Sequence, residues 1–537
     1  MAEIASKFNF KELFSKYKEV FFDSKKYWIL YLVFITLAFS SMLYKDNILH
    51  PSFELMTFFI LAILGIFCIL FYFLHNDDKE LYKVAFVIIL CFGIICSFMV
   101  PVFDHSDEKE HFVRSEITSQ GVIIPHWTGK EVGIDRLYNL TSGETSDAFN
   151  WGVGFKTIGS VKSIEDNTNN NPIDLLKSNH DKINHSTFIA GSAFEQNPFY
   201  GYLPQAIGIS VAKLLDLDMI WLLMFARIFN MIGYAILIAI AVKITPVLKI
   251  PIMTVSCIPV AIFQVASTNI DMMIFGLSII AIAYFIYLHQ SDKNSIENKH
   301  LIIFSVLCLL AGLCKLPYLA LIFLILLVPR DNFKNKNILP FLLLSILIVG
   351  ICGVLWSRYA TPALMHSWRS SLNYVNSTRQ LNYVMGHPFY LFRFAQYIFG
   401  DGLYTILKEL IYFNYGSANT LNRLSLILMS LEMFLTIVLF AYPAKVKFDL
   451  KTKIGALAIV LVIYVGTCFI QLLTWAYVGK MDLGIHIRYF LPLFCLIPII
   501  VQLNHSCGDN RKFDNYVFVF IIGFMASFIL ALATKFF

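Results

Sequence analysis

Long apolar runs alternate with short polar ones along most of the chain, and the run lengths dictate the reading. Runs at Trp28–Leu43, Leu55–Leu74, Val84–Val102, Met219–Val242, Ile252–Ala266, Met272–Leu288, Ile338–Trp356, Leu424–Ala441, Ile454–Trp475, Tyr489–Leu503 and Tyr516–Ala533 approach the length of a bilayer-crossing helix. Such a helix needs roughly 20 apolar residues. One further run, "LIIFSVLCLLAGLCKLPYLALIFLILLV" from Leu301 to Val328, has Lys293 and Lys299 before it and Arg330, Lys334 and Lys336 after it. Basic flanks favour the cytoplasm, so both ends belong on one side, and the run predicts two short helices turning around Lys315–Pro317. The pattern therefore predicts an all-α polytopic membrane protein with about 13 transmembrane helices.

Charge then orients the spans. The polar links "HNDDKELYK", "VKITPVLK", "QSDKNSIENK", "PRDNFKNK", "PAKVKFDLKTK" and "DNRKFD" fall on the side of the Lys-rich N-terminus. That side is expected to be the cytoplasm of a multi-pass cell-membrane protein. Residues 1–27 read as a retained cytoplasmic amphipathic segment, because no small-residue cleavage site follows them. Two N-terminal spans at 28–83 precede a main transmembrane domain at 84–537, and two long loops, 103–218 and 357–423, fall outside. In the first loop "SIEDNTNNNPIDLLKSNHDKINHS" predicts a mobile polar excursion, and "NPFYGYLPQAIGISVAKLLDLD" a juxtamembrane helix. In the second, "HPFYLFRFAQYIFGDGLYTILKELIYF" reads as interfacial.

Composition agrees with a lipid bilayer as the environment. The 537 residues are 58% apolar and 15% charged, with a mean hydropathy of +0.67, which excludes a water-soluble globule. The net charge of +6 forms no basic stripe with interleaved aromatics, so nucleic acid is not an expected partner. Nine of the ten cysteines lie in apolar runs and Cys507 in a short polar link, which argues against disulfides and a cysteine-built zinc site.

Chemistry concentrates at the start of the first long loop, in "PVFDHSDEKEHFVRS". Continued as helix, Asp107, His111 and Arg114 share one face, with Glu108 one step round. A hydrated juxtamembrane helix with acids in its first turn explains the same residues. The turn "FQVASTNID" brings Gln264, Ser267, Thr268, Asn269 and Asp271 to the same rim, where a capped turn is the plainer explanation. Lys315, Arg227 and Arg488 are cations within or beside apolar segments, where ionisable side chains point to function and snorkelling is the competing account. Carboxylates that accept a proton, beside cations that stabilise a departing phosphate, suit glycosyl transfer from a polyprenyl-phosphate sugar.

These motifs resemble the GT-C superfamily of polytopic membrane glycosyltransferases. More closely, the chain resembles the bacterial family of predicted membrane proteins called domain of unknown function 2142. The carriers are "DEKEHFVRS", "NPFYGYLPQAIG", "FARIFN", "FQVASTNID", "CKLPY" and "IRYFLP", in that order from Val84 onward. The resemblance implies a transferase moving a sugar to an acceptor hydroxyl of a cell-wall polysaccharide, teichoic acid or similar glycan, with inversion. It implies Asp107 and Glu108 as the catalytic pair, with Asp107 the base and His111 and Arg114 supporting it. Arg488, Lys315, Arg227 and Tyr489 would bind the donor phosphate, and Tyr202, Gln264, Asn269 and Asp271 the acceptor or sugar. The site would face the extracytoplasmic side. No cofactor is implied, and the metal requirement stays open. The chain departs from many GT-C enzymes in placing the acidic loop after the third span, and it lacks the doubled proline of the protein-mannosylating branch. A flippase for a lipid-linked sugar, or a polysaccharide polymerase or ligase, is the alternative.

Overall fold

The computed structural model describes residues 10–46, 48, 51–75, 77–126, 128, 149–192, 194–367, 375–412, 439–502 and 511–537, with short strands at 131–134, 137–138 and 145–146. Among them, eight helices are long and apolar enough to cross a membrane: Lys25–Tyr44, Ser52–Leu74, Leu81–Met99, Ile220–Ile244, Asp271–Gln290, Ile338–Thr361, Leu450–Thr474 and Arg511–Phe536. The expected span Leu424–Ala441 lies almost wholly outside the described residues.

Proline breaks two of the expected continuous spans. In place of Ile252–Ala266 stand helices Lys249–Cys257 and Pro259–Val265, hinged at Ile258, whose extended backbone is what the residue before a proline adopts. In place of Tyr489–Leu503 stand the 3-10 turns Ile487–Tyr489 and Leu491–Leu496 and the short helix Ile497–Ile500, with Pro492 and Pro498 removing backbone donors.

The predicted hairpin is present. The helix Asn298–Cys314 meets the 3-10 helix Leu316–Leu327 at Lys315, and Pro317 stands in the latter's first turn. Its two ends return to one another: Ile296 N–H donates to Asn332 O at 2.9 Å and Lys334 N–H to Ile296 O at 2.9 Å. The charge-based expectation that both ends share a side is therefore met by the backbone itself.

The C-terminal helix is among the most enclosed elements and is covered by the first two spans. Phe518 stacks on Tyr72 with ring centroids 4.0 Å apart, and Phe34 meets Phe520 edge-on at 6.5 Å. Burial of these aromatic faces ties 28–83 into the same core as the rest.

The first long loop corrects the all-α expectation. It holds a small antiparallel sheet of Glu131–Ile134, Phe149–Ile158 and Thr187–Ser192, with the longest strand in the middle. The Asn-rich segment, expected to be a mobile excursion, folds as helices Ser160–Glu165 and Pro172–Ser178. Asn171 caps the second by accepting from Ile173 N–H. Its backbone also pairs with the loop's start, through Asn169 N–H to Val102 O and Val102 N–H to Asn170 O. Asparagine makes such local side-chain hydrogen bonds readily, so polarity here marks turns and caps.

Candidate functional site

The loop 101–107 leaves the helix Leu81–Met99 and enters the helix Glu108–Ser119 through two left-handed residues, Phe103 and Asp107, with φ of 53° and 65°. Asp tolerates this conformation better than most residues. It has a consequence for function: Asp107, at the helix N-cap position, makes no side-chain cap. Its carboxylate turns outward, accepting from Arg488 Nη2 at 3.0 Å and from Ser106 Oγ at 3.3 Å.

Glu108, one residue on, turns the opposite way. Its carboxylate accepts from Arg227 Nε at 2.8 Å, Arg227 Nη2 at 2.7 Å and Thr268 N–H at 3.0 Å. Arg227 also donates to the carbonyls of Ser97, Val100 and Pro101. Those contacts occupy all five guanidinium N–H groups. Both side chains are 0% exposed. This corrects two expectations: Glu108 is not placed to act on a substrate, and Arg227 has no donor left for a phosphate. The pair clamps the loop's start to the helix Ile220–Ile244, because removing one partner would leave the other charged and buried.

The residues that do meet surround a cavity of about 270 Å³, lined by Asp107, Glu110, His111, Asp271, Lys315, Arg488 and Tyr489 among others. Arg488 Nη1 lies 3.8 Å from Asp271 Oδ2, so this guanidinium bridges two carboxylates. Lys315 Nζ sits 3.3 Å from the centroid of the Tyr489 ring, and Tyr318 donates to Tyr489 O at 2.8 Å. Glu409, from the segment expected to be interfacial, accepts from Ile487 N–H at 2.6 Å and pairs with His486 Nδ1 at 2.7 Å. It thereby fixes the turn that presents Arg488. Ile270, Ile274, Leu316, Pro317 and Ile470 give the same cavity an apolar wall.

Other expected site residues lie elsewhere. Gln264 and Asn269 belong to a satisfied turn: Asn269 donates to Gln264 O and its Oδ1 caps Asp271 N–H at 3.0 Å. Asn230 braces that turn through the carbonyls of Val265 and Ser267. Arg114 is buried behind the site, donating to Thr118 Oγ1, Ile123 O and Asn197 O. The expected shared face of Asp107, His111 and Arg114 therefore stops at His111. Tyr202 does not line the cavity itself and reaches it through two residues that do, His111 Nδ1 at 2.7 Å and Asn197 Nδ2 at 2.8 Å.

Glu110, Phe194, Gln196, Asn197, Gln471 and Trp475 line the cavity without having been given a site role from the sequence. Glu110 was accessible to the reasoning used for Asp107, being the acid that follows Glu108 in the first turn of the helix. The Phe194–Asn197 turn carried no charge pattern to mark it. Burial and the nearby Asp107 push the Glu110 carboxyl up to about 7. Burial pushes His111 down to about 3, so it is neutral. Burial also opposes ionisation of Asp107, but the Arg488 guanidinium outweighs it and holds that carboxyl below its ordinary range. No cluster of three His, Cys, Asp or Glu arranged to hold a metal occurs among the described residues.

Searches of curated proteins and of solved structures give no match. A family model described as "Predicted membrane protein (DUF2142)" matches residues 90–497, which include every cavity residue named above. That match spans well over half of the chain, and the protein belongs to this family of predicted membrane proteins.

Proposed function

We propose that the protein is a membrane glycosyltransferase that moves a sugar from a polyprenyl-phosphate donor to an acceptor hydroxyl of a cell-envelope glycan, with inversion, on the extracytoplasmic face. One observation carries the reading: a carboxylate, Asp107, shares a partly apolar cavity with Arg488 and Lys315. The acceptor oxygen attacks the anomeric carbon as its proton passes to Asp107. The bond from that carbon to the phosphate oxygen breaks, and the electron pair leaves on a phosphate held by Arg488 and Lys315. The apolar wall suits the first units of the lipid tail. Asp107 is a weak base while Arg488 holds it, and a phosphate that draws Arg488 away raises its basicity.

The test is transfer of labelled sugar from a polyprenyl-phosphate sugar by purified protein, with Asp107→Asn in parallel. Activity of the variant equal to wild type removes the base. A second reading, movement of a lipid-linked sugar without chemistry, gains from the interrupted segments at Ile258, Lys315 and Arg488, since broken helices mark transport pathways. Lipid movement across the membrane with no glycosyl product favours that reading.

A further inference from the structure

Beside the cations, the cavity has a wall of different character, formed by His111 and the Phe194–Asn197 turn. Asn197 Nδ2 donates to the Tyr202 hydroxyl at 2.8 Å, and that hydroxyl lies 2.7 Å from His111 Nδ1. Nδ1 is the one acceptor within reach of the hydroxyl hydrogen among the described hydrogen bonds, so the hydroxyl is assigned as donating to Nδ1. The imidazole proton therefore sits on Nε2, and a neutral His111 offers one donor to the cavity. Phe194 stacks on the ring at 3.8 Å and 5°, which fixes its plane. The second feature is Gln196, whose Oε1 is buried in this wall with no hydrogen-bond partner. A buried acceptor left unpaired is costly, and a ligand hydroxyl that meets it as the side chain turns toward the cavity recovers that cost.

A donor and an orphan acceptor on one wall do not suit phosphate, whose oxygens only accept once ionised. A hydroxyl both donates and accepts. We infer that His111 and Gln196 form a subsite for the hydroxyls of an uncharged sugar ring, with Tyr202 and Asn197 as positioning residues that set the His111 tautomer. This rests on the proposed transferase reading and names its sugar-binding wall. It replaces Gln264 and Asn269, neither of which lines the cavity.

The experiment uses the full chain in lipid nanodiscs. Binding of polyprenyl phosphate is compared with binding of its glucose, mannose and N-acetylglucosamine conjugates. Binding of the matching free methyl glycosides is measured on protein loaded with polyprenyl phosphate. The best sugar is expected to tighten binding by about fivefold or more. His111→Asn and Gln196→Leu should abolish that increment and leave bare polyprenyl phosphate within about twofold of wild type. His111→Gln, which keeps a donor near the Nε2 position, should retain most of it, and thermal unfolding checks that each variant is folded. Loss seen in the conjugates assigns the wall to the transferred sugar, and loss seen only in glycoside binding assigns it to the acceptor. Wild-type behaviour of both variants in both arms overturns the subsite. Wild-type polyprenyl phosphate binding by Arg488→Ala instead overturns the phosphate site, and the glycoside arm still reads the wall.

Discussion

The guanidinium of Arg488 meets the Asp107 carboxylate at 3.0 Å across 381 residues of sequence, and the two are unequally enclosed, 9% against 38% exposed. Arg488 is the more enclosed partner, and the Asp107 carboxylate is the more accessible one. An anion entering the cavity competes with Asp107 for Arg488. By reciprocity, whatever Asp107 contributes to holding Arg488 opposes anion binding.

Asp107→Asn should therefore do two things at once. Turnover should fall by about 10²–10⁴-fold, the usual contribution of a general base. Affinity for a polyprenyl-phosphate sugar should rise, because Arg488 is released and one negative charge leaves the cavity. Single-turnover rates and equilibrium binding measured on the same preparation separate the effects. Weaker binding in the variant would show that Asp107 supports the donor.

Glu108→Gln should lower stability, not chemistry. Breaking a buried ion pair by removing one partner costs roughly 3–5 kcal/mol. Thermal unfolding should show a large loss for Glu108→Gln and for Arg227→Met, and the double variant should lose much less than the sum. A fully stable but inactive Glu108→Gln would return this carboxylate to the catalytic pair.

Donor binding should weaken as pH rises through about 7, where Glu110 loses its proton. Below that pH its carboxyl is neutral. Above it, a second charge joins Asp107 in the cavity, with Lys109 and Glu165 the other charged groups acting on it. A sugar phosphodiester has no ionisation near 7, so the dependence belongs to the protein. Glu110→Gln should make the affinity profile shallower between pH 6 and 8, roughly one unit either side of that value, with any remaining slope belonging to other cavity groups such as Lys315. A profile unchanged by the substitution excludes Glu110 as its source.

Glu409→Ala should weaken donor binding without touching the donor, since Glu409 holds the Ile487 amide and His486 beside Arg488. A loss of about tenfold is expected, comparable to one charge-assisted hydrogen bond. The same substitution in an Arg488→Ala background should change little. Additive losses would mean that Glu409 acts elsewhere.

Sidedness remains a consequence of charge. Lys109→Cys is expected to react with an impermeant thiol reagent in intact cells, while Lys334→Cys and Lys451→Cys are not. Lys130, expected on the same side as Lys109, lies outside the described residues. Reaction of both Lys109→Cys and Lys334→Cys would contradict the orientation, because the hairpin holds Lys334 at the end opposite its Lys315 turn.

The apolar runs determined by themselves where most helices lie, because a bilayer-crossing helix needs a minimum apolar length and few sequences satisfy it by accident. The hairpin was legible for a related reason: basic residues on both flanks and a proline at its centre leave a single economical path. The small sheet was not, because its strands alternate weakly and sit among asparagines that signal turns. Within the site, the sequence supplied the cast without the pairing. Asp107 and Glu108 are neighbours of like chemistry, and periodicity separates them by a single step. A left-handed backbone at Asp107 sends one carboxylate to Arg488 and the cavity, while the first helical turn sends the other to Arg227 and the core. The partners lie 381 and 119 residues away, respectively. Local pattern states which face a side chain takes. Only the packing of distant helices states which charge it meets there, and so which carboxylate is left for a substrate.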